Sequence, residues 1–265
     1  MTGEPAPARW NDLPARVASG VAMLAVGALA IWWGGLVFAA LAVLVTALMI
    51  WELSLMTAPG RRDEALGLAL LAGGVLAVVL WLHMPFVLAL LALPPVLGAL
   101  RPRRDPAIFR LYALAVMLTG YGLVALREGQ GLAAIAWIVA VVVISDVAGY
   151  FAGRMLGGPK FWPAVSPKKT WSGTVAGWVG AAFVGLCFAL AGGGWALVWL
   201  SPLLAFAGQM GDIAESVIKR RTGVKDSSTL IPGHGGVLDR FDALLGAVLL
   251  VLLVVQIMPL PLAGI

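Results

Sequence analysis

Charge is the scarcest commodity in this chain. Only 12% of its 265 residues are Asp, Glu, Lys or Arg, while 61% are hydrophobic. A soluble domain carries roughly a quarter of its residues as charges to cover its surface, so a soluble globular fold is excluded. Cysteine is nearly absent as well. The single Cys187 permits no intrachain disulfide, gives no hint of compartment, and reads as a small buried hydrophobe. The chain has no Walker lysine loop and no H-E-x-x-H, so the common soluble nucleotide and zinc signatures are missing. It also lacks the apolar–polar alternation of barrel strands, internal repeats, low-complexity tails and any linker long enough to separate soluble domains.

What is present in abundance is apolar sequence, in runs of roughly 17–22 residues, the length that a spanning helix needs. The expected fold is therefore all-α: a polytopic integral membrane protein of about nine transmembrane helices. The spans are expected over 17–33, 35–56, 64–82, 85–100, 107–126, 131–152, 172–192, 195–217 and 237–258. The first follows Arg9 and Arg16, is too long for a signal h-region and reads as a retained span. Trp32, Trp33, Trp81, Trp195 and Trp199 fall near the proposed interfaces, as an aromatic belt requires. With the N-terminus in the cytoplasm, every one of the 18 Lys and Arg residues except Arg127 lies on the cytoplasmic side. The positive-inside rule thus gives an N-in, C-out arrangement with a polar site facing the cytoplasm. Residues 1–265 read as one membrane domain, with 1–130 mainly scaffold and 131–258 the chemically active half.

The formal charge of +5 does not point to nucleic acid, because no RNA- or DNA-binding motif interleaves the basic residues. They line one membrane face, where lipid headgroups and phosphate-bearing solutes are the natural partners. Four polar features interrupt the hydrocarbon. Glu52 sits near the cytoplasmic end of the second span and reads as a snorkelling or paired carboxylate. Asp146 lies about one and a half turns inside the sixth span and needs a metal, a base or a proton; a helix-packing hydrogen bond is the structural alternative. The loop 157–173 presents Lys160, Lys168 and Lys169 among prolines and glycines. With Thr170 and Ser172 at a helix start, this loop suits phosphate, although an ordinary positive-inside anchor would look similar.

The richest feature is 211–242, which reads GDIAESVIKRRTGVKDSSTLIPGHGGVLDRFD. Asp212, Glu215, Ser216 and Lys219 recur every three or four residues and share a helix face, as do Asp239 and Asp242. Between them runs a basic loop containing Gly233, Gly235 and Gly236. Carboxylates, Lys/Arg and a divalent cation form the constellation for polyphosphate chemistry, since magnesium takes a few carboxylates together with substrate oxygens. A solvated loop explains the positive residues but not carboxylates at membrane depth.

These residues also resemble a known signature. Ser216-x-Ile218-Lys219-Arg220, then Lys225-Asp226, then Pro232-x-His234-Gly235-Gly236-x-x-Asp239-Arg240-x-Asp242 is similar to that of the phosphatidate cytidylyltransferases (CDP-diacylglycerol synthases). Ser145-Asp146 with Gly149 and Gly153, and Ser166-Pro167-Lys168-Lys169-Thr170-x-x-Gly173, resemble the same family. The resemblance spans the C-terminal half; the first 130 residues match only in being hydrophobic.

The resemblance implies the reaction CTP + phosphatidate → CDP-diacylglycerol + pyrophosphate, by a multi-pass homodimer of the inner (cytoplasmic) membrane with its site facing the cytoplasm. The implied partners are CTP, phosphatidate and membrane lipids. The implied cofactor is Mg²⁺, with a second cation left open. On this reading Asp212, Lys219, Arg220, Lys225, Asp239 and Arg240 carry the chemistry. Lys168, Lys169, Thr170, Ser172, Ser216, His234, Gly235 and Gly236 bind substrate, and metal ligands come from Asp146, Asp212, Asp239 and Asp242. His234 either touches phosphate or holds the loop, and His83 at the opposite membrane face has no catalytic role. A transporter, a related lipid cytidylyltransferase or CTP-using lipid kinase, and an anionic-lipid-binding scaffold are the competing readings.

Overall fold

Within hydrocarbon, every backbone N–H and C=O must be satisfied inside the crossing segment, and a helix does this locally. The structure, a computed structural model, describes residues 13–231, 233–262 and 264, with side chains from residue 18 onward. Arg9, Pro232 and the Arg16 side chain lie outside that range. Eight α-helices dominate the described residues: α1 (Leu13–Trp33), α2 (Gly35–Thr57), α3 (Arg62–Leu82), α4 (Leu93–Ala99), α5 (Pro106–Met155), α6 (Trp171–Leu190), α7 (Ala196–Thr222) and α8 (Leu238–Ile257). Six of them, α2, α3 and α5–α8, are long and apolar enough to cross a membrane.

The 50 residues of α5 are two helices that meet at non-helical geometry at Gly131 (φ 83°, ψ −174°), one over each of the spans expected at 107–126 and 131–152. A straight α-helix of that length would be ~75 Å long, far more than a ~30 Å hydrocarbon core. Glycine at the break tolerates the positive φ. The span expected over 85–100 is instead a 3-10 helix, Pro85–Ala92, running into the seven-residue α4. Pro94 and Pro95 lack the N–H that a continuous α-helix would need in mid-segment. The segment is apolar but falls short of the crossing helices.

Large apolar side chains point outward, among them Leu24, Leu36, Leu111, Val179 and the expected belt residues Trp32, Trp33, Trp81, Trp195 and Trp199. Inside are two cores. Trp137, Ile138, Val141, Leu197, Leu204 and Val248 join the second half of α5 to α7 and α8. Ile50, Leu53, Leu76, Phe109, Met117 and Leu245 join α2, α3 and the first half of α5 to α8. Helix α8 therefore belongs to both cores and links the N-terminal helices to the C-terminal ones.

Small residues let backbones touch where membrane helices pack most closely. A Cβ on Gly246 of α8 would strike the Ala207 carbonyl of α7, and one on Gly211 would strike the Asp242 carbonyl. On α6, a Cβ at Gly173 would come 2.5 Å from the Gly149 carbonyl of α5. Because α6 turns its glycine face inward, Cys187 ends up exposed rather than buried, which corrects the sequence-based expectation.

The charges outside the spans have structural work. Arg127 donates to the Ile31 and Trp32 carbonyls (3.0 and 3.4 Å) at the end of α1, where a cation complements the helix dipole. Arg103, in the α4–α5 connection, bonds Glu64 (2.6 Å), the Gly98 carbonyl (2.6 Å) and Thr57 Oγ1 (3.2 Å), and lies over the Phe109 ring. Burial pulls its guanidinium below the usual arginine value, against the opposing pull of Glu64. Next to it, Arg104 donates to the Thr222 carbonyl (2.7 Å), so this connection also holds the end of α7.

The α7–α8 contact gives a direct test. Gly246→Val should cost ~1–3 kcal/mol through overpacking and lower the thermal midpoint of the protein in detergent. Gly74→Ala, where a Cβ meets nothing within 4 Å, should stay within ~0.5 kcal/mol of the parent. Equal midpoints for the two variants would contradict the packing described.

Candidate active site

The segment after α5 was expected to be a loop and is a small antiparallel hairpin. Strand β1 (Lys160–Trp162) pairs with β2 (Ser166–Thr170), with Lys160 opposite Thr170 and Trp162 opposite Ser166. The Trp171 N–H donates to the Pro159 carbonyl (3.0 Å), closing the hairpin onto the start of α6. Thr170 is the N-cap of α6: its Oγ1 accepts from the Gly173 N–H (3.2 Å), and its carbonyl accepts from Thr174 Oγ1 (3.0 Å). Ser172 Oγ donates to the Gly157 carbonyl (2.5 Å). The hydroxyls expected to face substrate thus spend their hydrogen bonds on the turn, and what the hairpin offers the site is its lysines.

Lys168 and Lys169 face a cavity of about 410 Å³ lined by α5, β2, α6 and α7. Ser145, Asp146, Tyr150 and Arg154 come from α5, Lys168 and Lys169 from β2, Thr174 from α6, and Gln209 and Asp212 from α7. Lys169 Nζ donates to Asp212 Oδ2 at 2.5 Å and to the Gln209 carbonyl at 3.4 Å. Gln209 is itself held by Trp178 Nε1 (3.0 Å), while its amide donates to the Thr174 carbonyl (3.3 Å) and Ser145 Oγ (3.4 Å). The carboxylates of Asp146 and Asp212 interact electrostatically, as do those of Asp212 and Asp242. Carboxylates and cations therefore share one polar space beside the membrane-spanning helices.

A second group lies at the α7–α8 connection. Asp239 Oδ2 accepts from the Ser227 N–H (2.9 Å), Ser227 Oγ (2.9 Å) and the Gly236 N–H (2.8 Å); Oδ1 accepts from Lys219 Nζ (2.7 Å). Lys219 also donates to Glu215 Oε2 (2.5 Å). Glu215 is buried, and its Oε1 has no hydrogen-bond partner among the described residues. Gly235 has φ +88°, and a Cβ on Gly236 would run into Ser227 Oγ and the Glu52 carboxylate, so neither position admits a side chain cheaply. Glu52, on α2, is buried within this group and accepts hydrogen bonds from the same connection.

The expected site residues thus divide. Asp146, Lys168, Lys169, Thr170 and Asp212 come together around the cavity, while Lys219, Gly235, Gly236 and Asp239 form the group at the connection. Asp242 joins the two, since it interacts electrostatically with Glu215 and with Asp212. Lys168, Arg220, Lys225 and Arg240 are exposed and Ser216 is half-buried. His234 packs toward α1, with Nδ1 2.8 Å from Ser19 Oγ, and its carbonyl accepts from Arg240 Nε (3.1 Å) and Nη2 (2.5 Å). His83 is exposed at the end of α3, with Nδ1 2.9 Å from the Trp81 carbonyl.

Sequence reasoning passed over Gln209, Tyr150, Arg154, Ser227 and Ser228. Gln209 carried a legible signal, a large polar side chain one turn before Asp212, at the end of the apolar first half of α7. Arg154 was masked by its likeness to an ordinary cytoplasmic anchor, and the two serines by their place in a polar loop.

Among the described residues no three His, Cys, Asp or Glu side chains stand close enough to enclose a metal ion by themselves. A Mg²⁺ ion held with substrate would keep waters and take one or two carboxylates together with substrate phosphate oxygens. The donor chemistry agrees: hard carboxylate oxygens on Asp146, Asp212 and Asp242, and the unpartnered Glu215 oxygen. Asp239 already holds four donors, which leaves it the least room for a cation.

Residues 14–258 match the Cytidylyltransferase family. Curated relatives include a protein named phosphatidate cytidylyltransferase from Brucella suis biovar 1 (strain 1330), 50% identical over 129 residues, 48% of each chain. Proteins of the same name from Staphylococcus saprophyticus subsp. saprophyticus and Staphylococcus aureus (strain COL) are 38% and 37% identical. These cover 160 and 145 residues, or 57% and 52% of this chain and 60% and 54% of theirs. The aligned stretch of the chain spans about half the length of the curated relatives it matches.

The ion pair in the cavity makes a stability prediction. Lys169→Met leaves Asp212 beside Asp146 and Asp242 without its nearest cation, and the thermal midpoint in metal-free detergent should fall. Adding Asp212→Asn to that variant should recover most of the loss. Additive losses in the double variant would contradict the pairing.

Proposed function

Since the chain belongs to the Cytidylyltransferase family, we propose that it is a phosphatidate cytidylyltransferase, converting CTP and phosphatidate to CDP-diacylglycerol and pyrophosphate. The observation that carries this reading is the cavity in which Asp146 and Asp212 face Lys168 and Lys169 at the edge of the apolar helices. The names of the curated relatives support the substrates.

The nucleophile in this reaction is the lipid phosphate, already largely ionised near neutral pH if its second pKa is ~6. No serine or histidine nucleophile and no strong base are needed. The protein has to bring two polyanions together against their repulsion and stabilise the charge on departing pyrophosphate, which is positioning plus electrostatics. Lys168 and Lys169 neutralise phosphate oxygens within the cavity, and Arg154 at its rim adds a cation that the lipid phosphate reaches from the bilayer edge. Lys219 and the Gly236 amide order the adjoining connection, and the exposed Arg220 of α7, Lys225 of the connection and Arg240 of α8 face incoming anions. Asp146, Asp212 and Asp242 would hold Mg²⁺, which when bound supplies charge neutralisation on the triphosphate. The placement of the protein belongs to the proposal: the inner membrane, N-terminus and site toward the cytoplasm, one domain, working as a homodimer with access to bilayer lipid.

Purified protein in detergent with phosphatidate, labelled CTP and Mg²⁺ should move label into the organic phase, and EDTA should stop it. No label from folded protein would remove phosphatidate as the substrate. Asp212→Asn and Asp239→Asn should each lose turnover by at least about two orders of magnitude while the protein remains folded and membrane-inserted. Mg²⁺ should raise the thermal midpoint of the parent protein, and Asp242→Asn should blunt that rise; an undiminished rise would take Asp242 off the ligand set.

A further inference from the structure

Glu52 lies on α2, among helices that the sequence marks as scaffold, yet its side chain is fully buried. Four donors from residues 227–238 surround its oxygens. Ser228 Oγ (2.6 Å) and the Val237 N–H (2.9 Å) reach Oε1; the Leu238 N–H (2.7 Å) and Ser227 Oγ (3.1 Å) reach Oε2, the single Ser227 hydroxyl proton being shared with Asp239 Oδ2. Among the described residues no Lys or Arg pairs with it. Its charge is met by hydroxyls and by the N-terminal amides of α8, where the helix dipole favours an anion. A buried carboxylate with no counter-ion is costly to keep, and a neutral residue of similar size would pack the same space.

The four donors explain what the carboxylate accomplishes. Ser227 and Ser228 lie early in the α7–α8 connection, and Val237 and Leu238 lie at its end. One side chain therefore holds both ends of the connection from a different helix. Asp239 grips the same strand of chain from the other side, through Ser227 and Gly236, and passes that grip to Lys219 on α7. Gly236 lies pressed between Ser227 and Glu52. Within the connection itself, the regular pairing is one bridge between Ile231 and Gly235.

We propose that Glu52 is a positioning residue: from α2 it clamps the α7–α8 connection at Ser227–Ser228 and at Val237–Leu238, so that Asp239, Lys219 and Lys225 are held in register with the cavity. It touches no reacting atom. The proposal rests on the cytidylyl-transfer reading above for its kinetic consequences, and on the geometry alone for its structural ones.

The test uses full-length protein in detergent, with Glu52→Gln, Glu52→Asp and Ser228→Ala. In Glu52→Gln the amide turns an N–H₂ toward donors, so at least one end of the connection is released. Misplacement of a group by about an ångström can cost on the order of 10²-fold in rate. The expected result is a kcat lower by about that factor, with KM for CTP changed less than about threefold. Glu52→Asp keeps the charge and should recover at least about tenfold of the loss. Ser228→Ala should lower kcat several-fold and add nothing in the Glu52→Gln background, as coupled partners do. Hydrogen exchange should rise across 225–238 in Glu52→Gln and remain unchanged in α5 and α6.

Parent-like kcat in Glu52→Gln, or exchange raised equally throughout the protein, overturns the proposal. Should Glu52→Gln fail to fold, Ser228→Ala decides: unchanged kcat together with unchanged exchange over 225–238 overturns it. If the parent protein shows no turnover, the functional reading fails by itself, and the exchange measurement still decides whether Glu52 clamps the connection.

Discussion

A charge within a low-dielectric bundle must be met by opposite charge or by hydrogen-bond donors, or the bundle will not tolerate it. The arrangement at the α7–α8 connection depends on that constraint more than on any apolar contact. Asp239 holds three donors on one oxygen and Lys219 on the other, and Glu52 holds four donors from the same chain segment, the Ser227 hydroxyl being shared between the two carboxylates. The connection has little regular structure, so its shape is transferred to it by these two carboxylates. They in turn are placed by α2 and α8, which are fixed by the apolar core around Ile50, Leu53 and Leu245.

The cavity beside it obeys the same rule with a different balance. Asp146 and Asp212 line it together, and the cation nearest to them in geometry is Lys169, paired with Asp212. A set of carboxylates that is incompletely neutralised by the protein is suited to polyphosphate bound with a cation. The close backbone contacts of α5 with α6, and of α7 with α8, set the spacing between these groups. Gly149 and Gly173, and Gly211 and Gly246, bring the backbones near enough for Asp146, Lys169 and Asp212 to share one space. Small residues thus decide the chemistry indirectly, through distance.

The early helices are less passive than their composition suggests. Arg103 and Arg104 join α2, α3 and the end of α7, and Glu52 reaches from α2 into the connection. His234 meets Ser19 of α1. Each of these contacts links a chemically plain stretch to the polar end of α7 or the connection beyond it, which gives the N-terminal half a reason to retain a few polar residues among Ala, Leu and Val.

Sequence alone determined the class of the protein and the identity of its polar residues. Scarce charge and long apolar runs left only a helical membrane fold, and Asp146, Lys168, Lys169, Asp212, Lys219 and Asp239 stood out because ionisable groups are costly beside hydrocarbon. Periodicity could place residues on a shared helix face, but it could not say which faces meet. Tertiary structure decided that Lys169 pairs with Asp212, that Thr170 caps α6, that Cys187 faces outward, and that the segment expected as a span over 85–100 is a 3-10 helix running into the short α4. It also decided the role of Glu52, whose partners lie 175 to 186 residues away in the chain. Pairings across that separation are set by packing of whole helices, and no local pattern in the sequence encodes them.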